Sequence, residues 1–289
     1  MTGPSGRLGS ALVRELAARG QKALSWGRPG FDLDDPSAAE RLLDRDAPGL
    51  VIHAAAWTDV DGCARDPRLA MRRNGDATDV LARACARSGA RLVVVSTNEV
   101  FDGRRTDGQG YREDDSPAPL NPYGASKLAG EEAARRAFGD AGRPAGLWVV
   151  RTAWLFGPPG NDFPSRILAA AAALEPGAPL PGVIDETGSP TFAPDLATAI
   201  VELTERAPGG TYHLVNSGRA TRYAWAERVI GRCRGGSPAL RPISRNTFQR
   251  ASTPPAWAVL DASRAAGHRI VLREWDAAFE AYAPVLCPD

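Results

Sequence analysis

The sequence predicts an α/β protein built on a parallel β-sheet with helices on both faces. Short runs of valine, leucine and isoleucine alternate with segments of helical periodicity, as is typical of strands buried on both faces. The predicted strands are residues 22–26, 50–56, 91–97, 147–152 and 211–215. The chain also opens on a glycine-rich loop, Gly3, Gly6 and Gly9, that leads into a predicted helix. Together these features predict a Rossmann-type, doubly wound sheet.

The helix after the glycine loop is predicted from its leucines. Leu8, Leu12 and Leu16 recur at helical spacing, and Gly20 follows as the expected C-terminal cap. A loop of this kind lets backbone amides approach the pyrophosphate of a dinucleotide. We therefore expect a cofactor phosphate site at the start of this helix.

The glycine loop lacks the strand that normally precedes it. Only Met1 and Thr2 stand before Gly3, whereas a strand has about five or six residues. The missing or truncated first strand would be the central one, between residues 22–26 and 50–56. We expect the natural protein to carry several more apolar residues upstream.

Composition changes along the chain and predicts two parts. Regular alternation of strands and helices ends near Gly157, after which proline and glycine clusters appear. We predict a dinucleotide-binding domain over residues 1–157, to which residues 190–216 return. Residues 158–189 and 217–289 are predicted to form a smaller, substrate-binding lobe.

Charge and cysteine usage narrow the class of protein. The 289 residues carry a formal net charge of +1 and are 43% hydrophobic, which favours neither a nucleic-acid partner nor a membrane surface. The four cysteines are far apart without a CxxC pair, and the three histidines do not cluster. We therefore expect reduced thiols, a cytoplasmic protein and no metal site.

The stretch YGASK, Tyr123 to Lys127, carries the most specific chemistry. Residues four apart lie on one face of a helix, so the phenol and the ammonium can enter the same cleft. A neighbouring cation favours phenolate and lowers the pKa of a tyrosine. The chain has only two lysines, and a compact ammonium at this position predicts a function in proton transfer.

Hydroxyls at the end of one predicted strand are candidates for the same cleft. Ser96 and Thr97 close the run 91–97, and ligands of such sheets bind beyond the carboxyl ends of the strands. Hydroxyls at strand ends also serve as caps of turns and helices. Beside Tyr123 and Lys127 they complete a set of hydroxyl, phenol and ammonium.

The residues after the run 22–26 bear on the choice of cofactor. No acid follows where a ribose 2′-hydroxyl is usually bound, and Arg28 can instead meet a 2′-phosphate. This favours NADPH, with NADH left open. Asp32 is expected in a turn or on the adenine side.

The motifs together resemble the dTDP-4-dehydrorhamnose reductase family of the extended short-chain dehydrogenase/reductase superfamily. The similar blocks occur in order along nearly the whole chain. They are AAAWTDVD (54–61), Asn74, STNEVFDG (96–103), NPYGASKLAGE (121–131), RTAWLFG (151–157), DETGSPTFAPDLA (185–197) and GGTYHLVNSG (209–218).

The resemblance implies reduction of the 4-keto group of a nucleotide-linked deoxysugar by NADPH. Tyr123 would donate a proton to the C4 oxygen, Thr97 would hydrogen-bond that oxygen, and Lys127 would lower the pKa of the tyrosine and hold the nicotinamide ribose. The expected cofactor-binding residues are Gly3, Ser5, Gly6, Arg7, Leu8, Gly9, Arg28, Asp32, Ala54, Ala55, Ala56, Asn74, Ser96 and Lys127. The expected substrate-binding residues are Thr58, Asn98, Glu99 and Trp154.

Two departures from the family pattern concern the substrate. Asn98 and Glu99 stand where the family commonly has aspartate and tyrosine, and PPAWAVLD (254–261) replaces RPxNSxLD. The sugar or the nucleotide is therefore left open. A binding or regulatory subunit without catalysis, an epimerase or dehydratase of the same superfamily, and a homodimer are also left open.

Overall fold

The computed structural model describes residues 1–288. The α-helices are α1 (Arg7–Ala18), α2 (Ala38–Asp46), α3 (Val60–Arg65), α4 (Pro67–Ala70), α5 (Ala77–Ser88), α6 (Pro122–Asp140), α7 (Phe163–Ala172), α8 (Ala193–Arg206), α9 (Arg222–Arg234), α10 (Ser263–Gly267) and α11 (Trp275–Leu286). The strands are β1 (Leu50–His53), β2 (Arg91–Thr97), β3 (Leu147–Thr152), β4 (Leu155–Phe156), β5 (Leu180–Val183), β6 (Thr187–Gly188), β7 (Thr191–Phe192), β8 (Gly210–His213), β9 (Asn216–Ser217), β10 (Ala220–Thr221), β11 (Leu240–Ile243), β12 (Trp257–Ala258) and β13 (Leu272–Glu274).

The main sheet is parallel and has the strand order β1-β2-β3-β8. These four strands coincide with four of the five apolar runs in the sequence, so the predicted α/β fold with a parallel sheet is confirmed. In the register of β2 and β3, Thr97 lies opposite Thr152. The carboxyl ends of these strands therefore meet at one edge of the sheet, where ligands of such folds bind.

Helices cover both faces of the sheet because successive side chains of a strand alternate between them. Val93 of β2 packs in one core with Leu12 of α1 and Leu196 of α8. Its neighbours Leu92 and Val94 pack in the opposite core, formed with α2, α5 and α6. A fully buried leucine such as Leu12 contributes about 1.5–3 kcal/mol through burial of its apolar surface.

The first two residues of the chain occupy the predicted central position of the sheet. Thr2 forms parallel bridges to both Trp26 and His53. Its amide donates to the Ile52 carbonyl at 3.0 Å, and the Trp26 amide donates to the Met1 carbonyl at 2.8 Å.

The prediction of a strand over residues 22–26 is wrong. Only Trp26 takes part in a bridge, while Lys22, Leu24 and Ser25 are exposed. The physical reason is pairing: in the described residues this run joins the sheet through the bridge of Trp26 to Thr2, and its other residues form no β-bridge.

The second half of the chain adds two- and three-stranded sheets. Their orders are β10-β6-β12, β11-β5, β13-β9 and β4-β7. An aromatic core that includes Phe156, Phe192, Trp225 and Phe279 packs among them. Within residues 1–288, no helix is both long and apolar enough to cross a membrane.

The expectation of four reduced thiols is wrong for one pair. Cys233, near the end of α9, and Cys287, directly after α11, form a disulfide across 54 residues of sequence. The absence of a CxxC pair could not reveal this bond, because helix packing brings the two Cα atoms to 5.6 Å. Cys63 and Cys85 are buried free thiols. A cytoplasmic location stays a prediction that the cysteines no longer support.

Candidate active site

Tyr123 and Lys127 lie in the first turns of α6, as the spacing predicted. Asn121 is the N-cap of this helix, and its side-chain oxygen accepts from the Gly124 amide at 2.9 Å. A Cβ on Gly124 would lie 2.0 Å from the Glu99 carbonyl oxygen, so this position needs glycine. The start of α6 thus packs directly on the 3₁₀ turn Asn98–Val100 that follows β2.

This packing brings the Tyr123 phenol against the Thr97 hydroxyl. Thr97 is the last residue of β2 and is 6% exposed. Its hydroxyl also accepts from the Glu99 amide at 3.2 Å, which fixes the side chain at the sheet edge. Two hydroxyl groups therefore meet where a reacting oxygen can contact both.

The pKa of Tyr123 is raised, whereas the sequence led us to expect Lys127 to lower it. Burial of the phenol is the main cause, and the Glu99 carboxylate adds to it, while the contact with Thr97 acts in the opposite direction. Burial and the Glu99 carboxylate, and not Lys127, set the direction of this shift. The phenol is therefore protonated at neutral pH.

Lys127 is a buried cation that lacks a hydrogen-bonded polar partner within residues 1–288. It is 3% exposed, and within residues 1–288 its ammonium makes no hydrogen bond. Burial lowers its pKa to about 8, opposed by the Glu131 carboxylate. It also lies close enough to His53, at the end of β1, to help lower the pKa of that imidazole. Such a group fits a ligand with hydroxyls, such as a ribose.

The Ser96 hydroxyl makes a different set of contacts from Thr97. It donates to the Glu131 carboxylate. An oxygen of the same carboxylate lies 2.8 Å from a nitrogen of the Arg151 guanidinium and forms an ion pair with it. Glu131 and Arg151 are almost fully buried. Because side chains alternate along a strand, this pair lies on the face of β2 opposite to Thr97. Ser96 thus anchors a buried ion pair.

The glycine loop has the shape that a dinucleotide pyrophosphate requires. Gly3 has φ +67° and lies against Ala55, so that a Cβ would come within 3.0 Å of its backbone. A Cβ on Gly9 would lie 1.9 Å from the Gly3 carbonyl oxygen. Gly6 is the N-cap of α1 and provides no side-chain cap, and the first turn of the helix contains no acid. Its free amides and dipole therefore fit an anionic group.

The other predicted residues of the glycine loop differ in their burial and in their hydrogen bonds. Ser5 and Gly6 are exposed, whereas Leu8 is buried in the core and serves packing. The Arg7 guanidinium donates to the carbonyls of Gly157 at 2.9 Å and Gly160 at 3.2 Å. Arg7 thus ties the loop to the segment after β4.

Arg28 and Asp32 lie together at the surface. The Arg28 side chain is 79% exposed, with its Nε 3.6 Å from an Asp32 carboxylate oxygen. The Asp32 carboxylate also accepts a hydrogen bond from the Asp34 amide at 3.0 Å. This contact forms the turn that the sequence predicted for Asp32. The exposed guanidinium is accessible to a phosphate.

The segment after β1 lines the same edge of the sheet. Ala54, Ala55 and Ala56 are partly buried beside the glycine loop, whereas Thr58 is exposed. Asn74 is buried and binds both backbone groups of Trp57, accepting at 2.8 Å and donating at 3.0 Å. Asn74 therefore holds this segment in place.

Of the predicted substrate-side residues, Glu99 acts on the Tyr123 phenol, and the others make separate contacts. Asn98 is buried, and its amide nitrogen has no hydrogen-bond partner in the described part of the chain. One Glu99 oxygen accepts from the Asn121 amide at 2.6 Å. Trp154 has φ +43° and stacks with Trp225, their rings 5.9 Å apart.

Sequence reasoning missed three charged residues near Glu99. Burial raises the pKa of the Glu99 carboxyl and Glu186 adds to this, while Arg250 and Arg222 act in the opposite direction. The Arg222 guanidinium lies 3.5 Å above the Trp154 ring and 3.7 Å from Glu186. The sequence did not single out Arg222 and Arg250, because the chain contains many arginines and both lie far from Glu99 along it.

A cavity of about 460 Å³ opens between Glu186 and the segment 245–254. That segment is held by the Asp61 carboxylate, which accepts from the Ser252 amide at 2.9 Å and from Arg250 at 3.3 Å. Asn121 donates to the Thr253 carbonyl at 3.1 Å. The N-cap of α6 thus contacts both Glu99 and the wall of the cavity.

Comparison with known proteins agrees with the resemblance found in the motifs. The family model described as RmlD substrate binding domain matches residues 1–286. The dTDP-4-dehydrorhamnose reductase of Streptomyces griseus is 37% identical over 99% of this chain and 93% of its own. The dTDP-4-keto-6-deoxy-D-glucose reductase of Streptomyces niveus is 32% identical over 100% of this chain and 97% of its own.

A solved structure shares the whole fold. It is the dTDP-4-dehydrorhamnose reductase of Bacillus anthracis in complex with NADP, which is 29% identical, has a TM-score of 0.88, and is matched over 97% of this chain and 96% of that one. The chain therefore belongs to the dTDP-4-dehydrorhamnose reductase family of oxidoreductases.

Proposed function

We propose that this protein reduces the 4-keto group of a nucleotide-activated deoxysugar with NADPH. The observation that carries this proposal is the convergence of Thr97, Tyr123 and Lys127 at the carboxyl edge of the sheet. The glycine loop lies at the same edge, beside Ala55. In this proposal the proton donor, the orienting hydroxyl and the cofactor cradle face one cleft.

The chemistry divides between cofactor and protein. NADPH, when bound, supplies the hydride. Tyr123 donates a proton to the C4 oxygen, and Thr97 hydrogen-bonds that oxygen as it gains negative charge. Such donors stabilise the transition state more than the ketone. The raised pKa of Tyr123 keeps its proton in place until the oxygen takes it.

Lys127 acts on the cofactor side in this proposal. Its buried ammonium, without a protein partner in residues 1–288, binds the nicotinamide ribose. The first-turn amides of α1 hold the pyrophosphate, and Ala54 to Ala56 let the cofactor lie close to the strand end. Arg28 meets the 2′-phosphate, which favours NADPH over NADH. The relative from Bacillus anthracis was solved with NADP, which supports this choice.

The nucleotide sugar binds on the other side of Tyr123. We propose that residues 158–189 and 217–289 hold it, with Glu99, Trp154 and the cavity by Arg250 nearest the sugar. The two relatives from Streptomyces are named for different 4-keto sugars, and this chain departs from the family pattern at Asn98 and Glu99. The shared step is reduction at C4.

The experiment is NADPH oxidation by the wild-type protein with a panel of nucleotide 4-keto-6-deoxysugars. The panel contains dTDP-4-keto-6-deoxyglucose, dTDP-4-dehydrorhamnose and a UDP counterpart. We expect oxidation with at least one member and a product reduced at C4. NADPH binding without oxidation on any member would contradict the proposal and favour a binding subunit.

A further inference from the structure

Glu99 is a carboxylate placed beside the reacting groups, yet reduction at C4 does not use it. It lies two residues after Thr97 in the turn that follows β2. The first turn of α6 packs on its backbone at Gly124, one residue after Tyr123. The side chain is partly buried, and its charge acts on the Tyr123 phenol.

The Glu99 carboxylate is held by one oxygen and leaves the other available. The Asn121 amide donates to one oxygen at 2.6 Å. In the described residues the second oxygen has no hydrogen-bond partner. Arg222 and Arg250 lie nearby, but neither is within ion-pair distance of Glu99. A fixed carboxylate with a free oxygen is what a general base requires.

A 4-keto sugar offers a proton to such a base. The hydrogens on C3 and C5 are acidic because they are adjacent to the C4 carbonyl. Loss of one of them places negative charge on the C4 oxygen, where Tyr123 and Thr97 already provide hydrogen-bond donors. The same two donors therefore stabilise an enolate as well as an alkoxide.

We propose that Glu99 is a general base that removes and returns a proton on a carbon next to C4 of the keto sugar, an inference that rests on the proposed function. The C–H bond breaks, its electron pair forms a C–C double bond, and the carbonyl pair moves onto the C4 oxygen. The proton goes to Glu99. The reverse step returns a proton to carbon, so no oxidant or reductant is consumed.

Proton exchange in heavy water, without NADPH, tests this step. The probe is dTDP-4-keto-6-deoxyglucose, followed by mass spectrometry and NMR for deuterium at C3 or C5. We expect the wild type to exchange about 100-fold faster than the enzyme-free solution. Glu99→Gln should fall to the enzyme-free rate, because its amide keeps the Asn121 contact but cannot accept the proton.

Glu132→Gln is the matched control. Glu132 lies on α6 and is exposed, so this variant should exchange like the wild type. NADPH binding by Glu99→Gln, measured by fluorescence, reports whether the site is folded. If that variant does not bind NADPH, Glu99→Asp takes its place, and we expect slower exchange because its carboxylate is retracted.

Reduction measured in parallel separates the two proposals. Wild-type protein that oxidises NADPH with this sugar but exchanges no proton would overturn the role of Glu99 and leave the reductase in place. Exchange by Glu99→Gln at the wild-type rate would also overturn it. Neither exchange nor reduction with any sugar of the panel would contradict both proposals.

Discussion

At the scale of single residues, Tyr123 and Lys127 have pKa values moved by burial more than by each other. Burial penalises whichever form is charged, so it raises the pKa of the phenol and lowers that of the ammonium. Both groups therefore approach the neutral state. A protonated phenol suits a reductase, because the donor must hold its proton when the substrate arrives.

The lowered pKa of Lys127 predicts a pH dependence of cofactor binding. The ammonium loses its proton as the pH rises through about 8, so the charge that holds the ribose is present below that pH and lost above it. We expect the dissociation constant for NADPH to rise by about tenfold per pH unit above this value. Fluorescence titration of NADPH from about pH 6 to pH 10 measures it.

Lys127→Met is the control for this pH dependence. Its affinity should be weaker throughout and should lack the inflection at this pH. Wild-type affinity that stays constant through the alkaline range would contradict the role of the ammonium.

The sequence revealed those site residues whose relation is local. Tyr123 and Lys127 share a helix face at a spacing of four, and Thr97 ends an apolar run, so pattern and position sufficed. Glu186 and Arg250 reach Glu99 only through the folded chain. Ser96 precedes Thr97 but lies on the opposite face of β2, where it binds Glu131. Its place at a strand end does not indicate this contact.

At the scale of elements, the glycine loop and α1 are built around close backbone contacts. Helix α1 begins at Arg7 because the loop before it turns at Gly3 with positive φ. A Cβ on Gly9 would lie 1.9 Å from the Gly3 carbonyl oxygen, so only the hydrogen of a glycine fits at this position. The loop's shape, and with it the phosphate site, depends on this contact.

Gly9→Ala therefore tests the loop. The added methyl would overlap the Gly3 carbonyl oxygen, so we expect a loss of about 1–3 kcal/mol in the free energy of unfolding. NADPH binding should weaken as well. Chemical denaturation and fluorescence titration measure the two effects.

Gly139→Ala is the matched control, because this residue of α6 has nothing within 4 Å of the added Cβ. It should leave binding unchanged and stabilise the protein by up to about 1 kcal/mol. A Gly9→Ala variant as stable and as tightly bound to NADPH as this control would show that the close contact does not matter.

The elements themselves were predicted well where hydrophobic runs are long and buried. Strands β1, β2, β3 and β8 match four predicted runs. The prediction of a strand over 22–26 failed because a strand needs a paired neighbour as well as apolar residues, and within this run Trp26 alone forms a β-bridge. Sequence periodicity carries no information on the length of the neighbouring strand.

At the scale of the whole molecule, the disulfide connects the end of α9 to the end of α11. Helices from distant parts of the chain meet there in the aromatic core around Trp225 and Phe279. Cys63 and Cys85 are buried, and burial raises the pKa of their thiols to about 11 and about 12. These two thiols are therefore poorly reactive in the folded protein.

The double variant Cys233→Ser, Cys287→Ser should be less stable. A cross-link that closes a loop of 54 residues stabilises a protein by about 4 kcal/mol in the chain-entropy model. Chemical denaturation of the variant and of the reduced wild type should give the same loss. The denatured, unreduced wild type should titrate as two free thiols, and four would show that the bond is absent.

The most direct test of the central claim compares NADPH oxidation by the wild type and Tyr123→Phe with a nucleotide 4-keto sugar. The variant keeps the ring but lacks the proton donor. We expect its turnover to fall by about 100-fold or more, while NADPH binding is unchanged. Equal turnover in the two proteins would contradict Tyr123 as the proton donor and, with it, the proposed reduction at this site.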